Sequence, residues 1–353
     1  MMNPEKKYKP LLAVTMGDPA GIGPEIALKT IPAQRIREIC RPVLIGNYEI
    51  IRRTEDMLKS GTRLSVIERV NEADFQHNIV NIIDVSSPDV HKIGYGEISA
   101  AAGDIAFRVV TTAIDLALDG QVDGTVTGPI NKEAINLAGH HFSGHTEIYA
   151  HFTQSTKPAM LLADENLRVI HVTTHVSLKQ ACDLVIMERV LDVIKLAHHE
   201  LKNLGIDHPR IGVAGLNPHA GDGGLFGDEE IREIIPAIEK AREQGILADG
   251  PVPPDTLFAM ARGGKYDVCV AMYHDQGHIP FKLLGFDWDE KNKNMKSVKG
   301  VNVTLGLPII RTSVDHGTAF EIAGKGVASP GALMNAIEYA VTLCNNKINK
   351  KTF

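Results

Sequence analysis

The chain has 353 residues, of which 44% are hydrophobic and 23% charged, and its formal net charge is −6. This composition is typical of a soluble globular protein, and the length allows two domains or one large α/β unit. The negative charge argues against general nucleic-acid binding, which usually shows as a basic face. No run approaches the roughly 18 apolar residues of a membrane span, and the N-terminus lacks the apolar core of a signal peptide. We therefore expect a cytoplasmic protein with no membrane or nucleic-acid partner.

Apolar runs that alternate with helical patterns indicate an α/β protein. Runs typical of buried strands cover residues 11–16, 41–46, 81–85, 122–127, 168–174, 210–216, 268–272 and 301–310. An amphipathic pattern at residues 98–118 predicts a long helix. Since strands and helices alternate along the chain, we expect a mostly parallel sheet. The four cysteines are scattered without a C-x-x-C spacing, which favours free thiols over disulfides or a zinc–thiolate site.

A glycine-rich loop at residues 17–26 follows the first predicted strand. It matches neither the G-x-G-x-x-G fingerprint nor a Walker A sequence. Its glycines permit a tight turn, and Pro24 can open the helix that follows. We interpret it first as a strand–loop–helix turn and second as a ligand-binding loop.

Three histidines follow predicted strands at the points where those strands end. They are His175, His219 and His274, the last within a polar stretch at residues 273–282. Ligands of open α/β sheets bind beyond the carboxyl ends of the strands, and three imidazoles from separate strands can share one divalent cation while leaving coordination positions open. The pattern predicts a catalytic metal site. Three independent loop histidines remain the alternative, because spacing alone does not establish convergence.

Basic residues near these histidines suggest an anionic substrate. Lys282 lies in the same polar stretch, and Arg311 follows the apolar run at 301–310. Lysine offers a point charge and arginine a planar fork to a carboxylate or phosphate. Ordinary surface charge is the alternative.

We interpret His140 and His141 as packing or solvent-exposed residues. The charged insert from Asp287 to Lys299 is expected to be an exposed loop.

Several longer strings resemble the 4-hydroxythreonine-4-phosphate dehydrogenase family of pyridoxal-phosphate biosynthesis. In chain order they are VTMGDPAGIGPEI, TGPINKEAI, SGHTE, GLNPHAG, MYHDQG and VNVTLGLPIIRTSVDHGTA. The resemblance extends in register from about Val14 to about Gly326, which is most of the chain. Long strings in register are far more specific than any single short motif.

The resemblance implies a fold and an assembly. The family is similar in fold to isocitrate and isopropylmalate dehydrogenases, which implies a two-lobed α/β/α sandwich with mostly parallel sheets and a discontinuous first domain. We expect residues 1–128 and 310–353 to form one lobe, and residues 129–309 to form the other, with most metal and substrate residues. The family's active site lies in a cleft at a homodimer interface, with one metal histidine from the neighbour. An obligate homodimer with shared active sites is therefore expected.

The resemblance also implies roles for individual residues. The implied ligands of one divalent metal (Zn, Mg, Mn or Co) are His175, His219 and His274. The implied substrate contacts are His145, Thr146, Lys282, Asn302 and Arg311. The general base stays open between His145 and a metal-bound hydroxide. The segment from Asp315 to Gly326 looks like the adenosine-binding loop of isopropylmalate dehydrogenase, and its residues expected to bind NAD or NADP are His316, Gly317 and Thr318.

The implied reaction is an NAD-dependent and metal-dependent oxidation of the C3 hydroxyl of a 4-phosphorylated four-carbon acid, followed by decarboxylation. The type reaction is that of 4-hydroxythreonine-4-phosphate dehydrogenase. The chain departs from the biosynthetic pattern at His278-Ile279-Pro280, where that pattern continues Leu-Pro, and at the insert. These departures resemble the branch that acts on 4-phospho-D-threonate or 4-phospho-D-erythronate, which is the alternative. More distant alternatives are a three-histidine metallohydrolase and a non-catalytic sugar-phosphate binding module.

Overall fold

The structure is a computed structural model that describes residues 8–290, 294–298 and 300–351. Its strands are β1 (Leu11–Thr15), β2 (Arg41–Gly46), β3 (Arg63–Ile67), β4 (Ile79–Asp84), β5 (Gly124–Thr127), β6 (Ala159–Ala163), β7 (Arg168–His171), β8 (Arg210–Ala214), β9 (Leu247–Val252), β10 (Val268–Ala271), β11 (Phe286–Asp289), β12 (Asn294–Val298), β13 (Val301–Leu305) and β14 (Arg311–Val314). Its α-helices are α1 (Gly23–Thr30), α2 (Gln34–Ile39), α3 (Tyr48–Leu58), α4 (Ala100–Leu118), α5 (Lys132–Leu137), α6 (His145–Phe152), α7 (Leu178–Leu184), α8 (Met187–Asn203), α9 (Ile235–Glu243), α10 (Pro254–Arg262), α11 (His274–Gly285) and α12 (Gly331–Lys351). None of the described helices is long and apolar enough to cross a membrane.

Helices α3, α4, α5 and α7 begin at a side chain that caps the first turn. Asn47 accepts a hydrogen bond from the backbone N–H of Ile50 at the start of α3, and Asn131 caps α5 in the same way. Ser99 caps α4. Ser177 opens α7 with a reciprocal capping box. Each cap satisfies a backbone donor that the helix itself leaves without an acceptor.

The chain divides into two compact units. Unit 1 contains the described residues up to Ser155 and from Leu307 onward, and unit 2 contains Thr156–Gly306. The sequence assigned residues 129–155 to the second lobe, whereas these residues pack in unit 1. The reason is an apolar cluster that joins α4, α5 and α6, in which Ile114, Ile135 and Tyr149 are fully buried or nearly so.

Unit 1 has an all-parallel sheet in the order β3-β4-β2-β1-β5-β14. Unit 2 has the order β13-β6-β7-β10-β8-β9, in which β6 runs antiparallel to both neighbours and β7, β10, β8 and β9 are parallel. The prediction of a mostly parallel α/β architecture is confirmed. Apolar residues of β6, β7, β8, β10, α10 and α11 form the core of unit 2. The four cysteines are free, as the sequence indicated.

Two local predictions are wrong. The apolar run 301–310 is not one strand, because Gly306 takes a positive φ of 81° and ends β13, so Arg311 is the first residue of β14. The insert from Asp287 to Lys299 is not simply a loop, because Phe286–Asp289 and Asn294–Val298 pair as antiparallel strands. Within it, Lys291, Asn292, Lys293 and Lys299 lie outside the described residues.

A tight helix contact in unit 1 yields a stability prediction. A Cβ added to Gly103 in α4 would lie 1.9 Å from the carbonyl oxygen of Ala134 in α5. Gly103→Ala should therefore lower the free energy of unfolding by about 1–3 kcal/mol through overpacking, although alanine normally favours a helix. The matched control is Gly285→Ala at the end of α11, which meets nothing within 4 Å and should leave the thermal midpoint equal or slightly higher. Equal midpoints for both variants would contradict this packing argument.

Candidate active site

The carboxyl ends of β7, β10 and β8 lie side by side in unit 2. Ala271 of β10 pairs with His171 of β7, and Val270 pairs with Val213 of β8. Because the three strands are parallel neighbours, the segments that follow them leave the sheet at one edge. His175, His219 and His274 stand on these segments, as the sequence predicted.

His175 and His274 approach each other at this edge. Their ring centroids are 6.1 Å apart, and both line a cavity of about 560 Å³ with Tyr273, Asp275 and Gln180. The Nδ1–H of His274 donates to the Asp275 carboxylate over 2.6 Å. Since Nδ1 then carries the proton, the lone pair of His274 is on Nε2, which is the tautomer a metal ligand needs.

His219 lies on a different kind of turn. The residues from His219 to Gly223 all have positive φ, with 52° at His219, 55° at Ala220 and 45° at Asp222. A left-handed run of this kind is costly for residues with a Cβ and persists only where the surroundings hold it. Phe226 is beside the His219 ring, with centroids 6.1 Å apart.

The buried carboxylate of Glu230 holds the start of this left-handed turn. Glu230 is 2% exposed, and its Oε1 accepts hydrogen bonds from the backbone N–H groups of Leu216 (2.7 Å) and Asn217 (2.8 Å). Its Oε2 accepts a further bond from the side-chain amide of Asn217. Glu230 therefore acts as a template that fixes how the chain leaves β8.

The described residues of one chain do not complete a metal site at this edge. Across the described ranges, no group of three or more His, Cys, Asp or Glu side chains is arranged to hold a metal ion. The chain brings His175 close to His274 and leaves His219 on its own turn. The donor chemistry nevertheless fits a divalent cation, because imidazole is a common ligand of Zn²⁺ and Co²⁺ and Asp275 sets the tautomer of one donor.

Two further histidines lie behind His274. The ring of His278 stacks on His274, with centroids 3.6 Å apart and planes 10° apart. The ring of His171 lies 4.7 Å from His278. Burial lowers the pKa of His171 to about 3, and burial together with the facing His274 lowers the pKa of His278 to about 4. Both rings are therefore neutral at ordinary pH.

The other predicted substrate residues of unit 2 lie on different elements. Lys282 is exposed on α11, where the four-residue spacing places it on the same helix face as His274 and His278. Asn302 lies in β13 opposite Leu162, and its Oδ1 is shielded from solvent without a hydrogen-bond partner among the described residues. An orphaned buried oxygen of this kind is a group that a ligand could satisfy.

Unit 1 contains a basic cluster, which we define as His145, Arg311 and Lys132. Arg311 is 2% exposed, donates to Thr127 Oγ1 over 2.8 Å and packs over the Tyr149 ring at 5.5 Å. Burial lowers the pKa of Arg311 to about 10, so the guanidinium stays protonated at neutral pH. A cation held in this way attracts anionic groups strongly because its field is poorly screened.

The electrostatics of His145 limit its chemistry. Its Nε2 is inaccessible to solvent and has no hydrogen-bond partner within the described part of the chain. Burial, then Arg311 and then Lys132, hold the pKa of His145 well below its usual value. A neutral imidazole of such low basicity is a poor general base and a good hydrogen-bonding group. Thr146 follows it in the first turn of α6.

The segment after β14 carries the residues predicted to bind the cofactor. Thr318 is 9% exposed, and its carbonyl accepts a hydrogen bond from Ile22 in the glycine-rich loop. A Cβ on Gly21 would lie 2.9 Å from Thr318, so only glycine allows this approach. His316 bonds through Nδ1 to the carbonyl of Gly317. The glycine-rich loop is a strand–loop–helix turn, as the sequence indicated, and it also supports this second loop.

An ion pair fastens the far end of the same segment. Lys29 donates to Glu25 Oε1, to the carbonyl of Gly326 and to the carbonyl of Ala328, each over 2.8 Å. Glu25 Oε1 also accepts from the backbone N–H of Ala328 over 2.7 Å. All three donors of the lysine are satisfied, which makes this pair a clasp between α1 and the segment.

Several residues of this site escaped the sequence analysis. Tyr149, Lys132 and Glu230 showed no distinctive pattern, because their roles arise from burial and from partners distant in sequence. His171 and His278 carried a signal that could have been used: a histidine within an apolar strand, and two histidines four residues apart on one helix face. His140 and His141 were interpreted correctly, since His140 stacks on Phe107 and His141 bonds to Asn136.

Comparisons with known proteins show the family. The family described as pyridoxal phosphate biosynthetic protein PdxA matches residues 38–340. D-threonate 4-phosphate dehydrogenase of Salmonella typhimurium is 47% identical over 333 residues, which are 94% of this chain and 98% of that protein. The enzyme of the same name from Pectobacterium atrosepticum is 46% identical over 334 residues, 94% of this chain and 99% of that protein. The crystal structure of 4-hydroxythreonine-4-phosphate dehydrogenase from Klebsiella pneumoniae is 45% identical with a TM-score of 0.81, and the match covers 95% of this chain and 100% of that chain.

The carboxyl group of Asp18 in the glycine-rich loop yields a pH prediction. Asp18 is 0% exposed, and burial raises its pKa from 3.8 to about 6, although Ala20 and Asn131 donate backbone hydrogen bonds to it. The folded state therefore retains a proton that the unfolded state loses between pH 4 and 6. The shifted pKa of Asp18 should leave the free energy of unfolding unchanged below pH 4 and lower it by about 3 kcal/mol above pH 6.

The variant Asp18→Asn keeps the acceptor oxygen and removes the titration. Relative to the parent, the unfolding free energy of Asp18→Asn should increase by about 3 kcal/mol between pH 3.5 and pH 7. Urea unfolding of both proteins at several pH values measures it. Other titrating groups cancel in the difference, so parallel stability curves would show that the carboxyl titrates normally.

The Glu230 template yields a local prediction. Glu230→Ala removes the acceptor of two backbone N–H groups, and a lost hydrogen bond to a charged group costs about 1.5–3 kcal/mol. Amide hydrogen exchange at Leu216 and Asn217 should accelerate, and the unfolding free energy should fall. Glu229→Ala is the control, because it removes only one contact to the Asn217 side chain. Unchanged exchange in Glu230→Ala would mean that the turn holds its shape without the carboxylate.

Proposed function

Because the chain belongs to the family of the pyridoxal phosphate biosynthetic protein PdxA, we propose that it is a dehydrogenase that oxidises the C3 hydroxyl of D-threonate 4-phosphate with NAD. The observation that carries the substrate is the 46–47% identity, over nearly the whole chain, to proteins named D-threonate 4-phosphate dehydrogenase. The string His278-Ile279-Pro280, which departs from the biosynthetic pattern, favours the same substrate. Oxidation at C3 creates a 3-oxo acid, so loss of CO2 is expected to follow.

4-Hydroxythreonine 4-phosphate is the second candidate substrate. It is favoured by the name of the Klebsiella pneumoniae structure, which is similar at 45% identity. The two compounds differ at C2, where one carries a hydroxyl group and the other an amino group. The amino group is charged at neutral pH, so the two substrates also differ in net charge.

The phosphorylated acid needs cations and hydrogen-bond donors. In our proposal Arg311 supplies a fixed positive charge to an anionic group of the substrate, and Lys282 supplies a second, mobile one. His145 contributes a neutral hydrogen bond at Nε2 and does not act as the base. Thr146 and Asn302 are assigned as further polar contacts. The burial of Arg311 and the orphaned atoms of His145 and Asn302 support these roles.

We assign a divalent metal to His175, His219 and His274. When bound, such an ion would polarise the reacting oxygens of the substrate as a Lewis acid. Asp275 would hold His274 in the tautomer whose Nε2 lone pair can bind it. Because one chain groups only two of the three histidines, we propose that two copies of the chain contribute the three ligands of each site.

The cofactor is assigned to the segment after β14. His316, Gly317 and Thr318 are proposed to contact NAD or NADP, which accepts the hydride from C3. The glycine-rich loop and the clasp of Glu25 and Lys29 would keep this segment in place before the cofactor arrives, which reduces the ordering cost of binding.

The proposed reaction predicts NAD reduction. With a divalent metal added, absorbance of NADH should rise with D-threonate 4-phosphate and at a much lower rate with 4-hydroxy-L-threonine 4-phosphate. The reverse preference would place the protein with the biosynthetic enzymes. No reduction with either compound, combined with release of inorganic phosphate, would contradict the dehydrogenase and favour a metallohydrolase.

Shared metal sites predict recovery of activity on mixing two inactive variants. His219→Ala and His274→Ala should each lose at least 10²-fold in kcat together with bound metal, since metal catalysis is lost with a ligand. If one site takes His219 from one copy and His274 from the other, unfolding and refolding the two variants together creates one intact site per mixed dimer. Activity should then return to about a quarter of the parent level. Mixing that restores nothing, with mixed dimers verified by mass, would contradict the sharing.

A further inference from the structure

The helix α11 places two imidazole rings in face-to-face contact. His274 and His278 are four residues apart, which puts them on one helix face. Their centroids are 3.6 Å apart with planes 10° apart. Offset or tilted contacts between buried rings are common, but one of these two rings is an assigned metal ligand and the other has no assigned role.

His278 is held firmly in this position. Its Nδ1–H donates to the backbone carbonyl of His274 over 3.0 Å, and the residue is 7% exposed. On its other side lies His171, whose Nδ1–H donates to the carbonyl of Met160 over 3.2 Å. A Cβ on Gly277 would lie 2.4 Å from His171 Nε2, so glycine is required for this close packing.

The consequence concerns the freedom of the His274 ring. Asp275 holds one edge of this ring through Nδ1, and His278 covers one of its faces. A hydrogen bond at one nitrogen fixes the tautomer but still allows the ring to swing about the Cβ–Cγ bond. A flat neighbour that cannot move restricts the swing. Together the two contacts limit both the tautomer and the plane of the ring.

We propose that His278 is a positioning residue that fixes the ring plane of His274 for metal binding, with His171 as the rigid support behind it. This inference rests on the proposed function, because it requires His274 to be a metal ligand. Outer groups that orient a ligand typically change metal affinity by about 10–100-fold when they are removed. The competing explanation is that His278 only fills space, in which case an apolar residue of any shape would serve.

The test compares side chains of different shape at position 278, in the full-length protein from which metal has been removed. His278→Leu replaces the flat ring with an apolar side chain that is not flat, whereas His278→Phe keeps a flat ring; both variants remove the hydrogen bond to the carbonyl of His274. His199→Leu is the matched control. It makes the same histidine-to-leucine change at an exposed position on α8. Titration with Co²⁺, followed by its visible absorption, gives the dissociation constant and reports ligand geometry. The thermal midpoint of each metal-free variant is measured alongside.

The expected result is a dissociation constant at least 10-fold higher for His278→Leu and within about threefold of the parent for His278→Phe, with His199→Leu unchanged. The Co²⁺ spectrum of His278→Leu should also change shape. Equal affinities for His278→Leu and the parent would overturn the positioning role. So would a folded His278→Phe variant that is as weak as His278→Leu. If His278→Leu does not fold, His278→Met takes its place in the comparison, because methionine also lacks a flat ring.

A further variant separates this inference from the proposed function. If His274→Ala binds Co²⁺ as tightly as the parent, His274 is not a ligand, and the proposed metal set itself fails. If His274→Ala loses Co²⁺ while His278→Leu retains it fully, only the positioning role fails.

Discussion

The arrangement of the site in unit 2 depends on the parallel pairing of β7, β10 and β8. Parallel neighbours must all leave the sheet at the same edge, so three segments distant in sequence begin within a short distance of one another. Each of them carries a histidine within five residues of the end of its strand. The sheet supplies the rigidity, because these strands are buried on both faces, and the segments supply the chemistry. The pairing does not by itself bring three rings together, since the segments differ in shape.

Buried carboxylates shape the loops in both units. Glu230 holds the turn that carries His219, Glu25 holds Ala328 together with Lys29, and Asp18 caps the glycine-rich loop. A carboxylate is well suited to this task, because it accepts several backbone hydrogen bonds at once and each is stronger than a neutral one. The cost is desolvation, which is visible in the raised pKa of Asp18.

The two units contribute different chemistry. Unit 1 offers a buried cation, a neutral imidazole of low basicity and a preformed loop after β14. Unit 2 offers the histidines after its parallel strands and the helix face of α11. A phosphorylated hydroxy acid that is oxidised by NAD needs each of these: positive charge, oxygen polarisation and a cofactor loop. A hydrolase would leave the loop after β14 without a purpose.

The sequence alone determined the α/β class, most of the buried strands, the long helix α4 and the three histidines at strand ends. These features depend on local periodicity and on runs of apolar residues, which a sequence displays directly. It missed the short buried strand β6, and it missed the exposed strand β3 and the strand β9, where polar residues and glycine mask the apolar pattern. It also placed Arg311 after a strand, whereas Arg311 begins β14. The positive φ of Gly306 ends β13 before the apolar run is over, and the apolar residues hide this break.

Only the tertiary structure decided which of these residues meet. The burial of Arg311 against Tyr149, the template of Glu230, the stack of His278 on His274 and the separate turn of His219 all depend on contacts between segments far apart in the chain or on the exact path of the backbone. Distances, burial and shifted pKa values arise from those contacts, and no local pattern encodes them. The residue types could therefore be anticipated from the sequence, while their environments, and with them their chemical roles, required the fold.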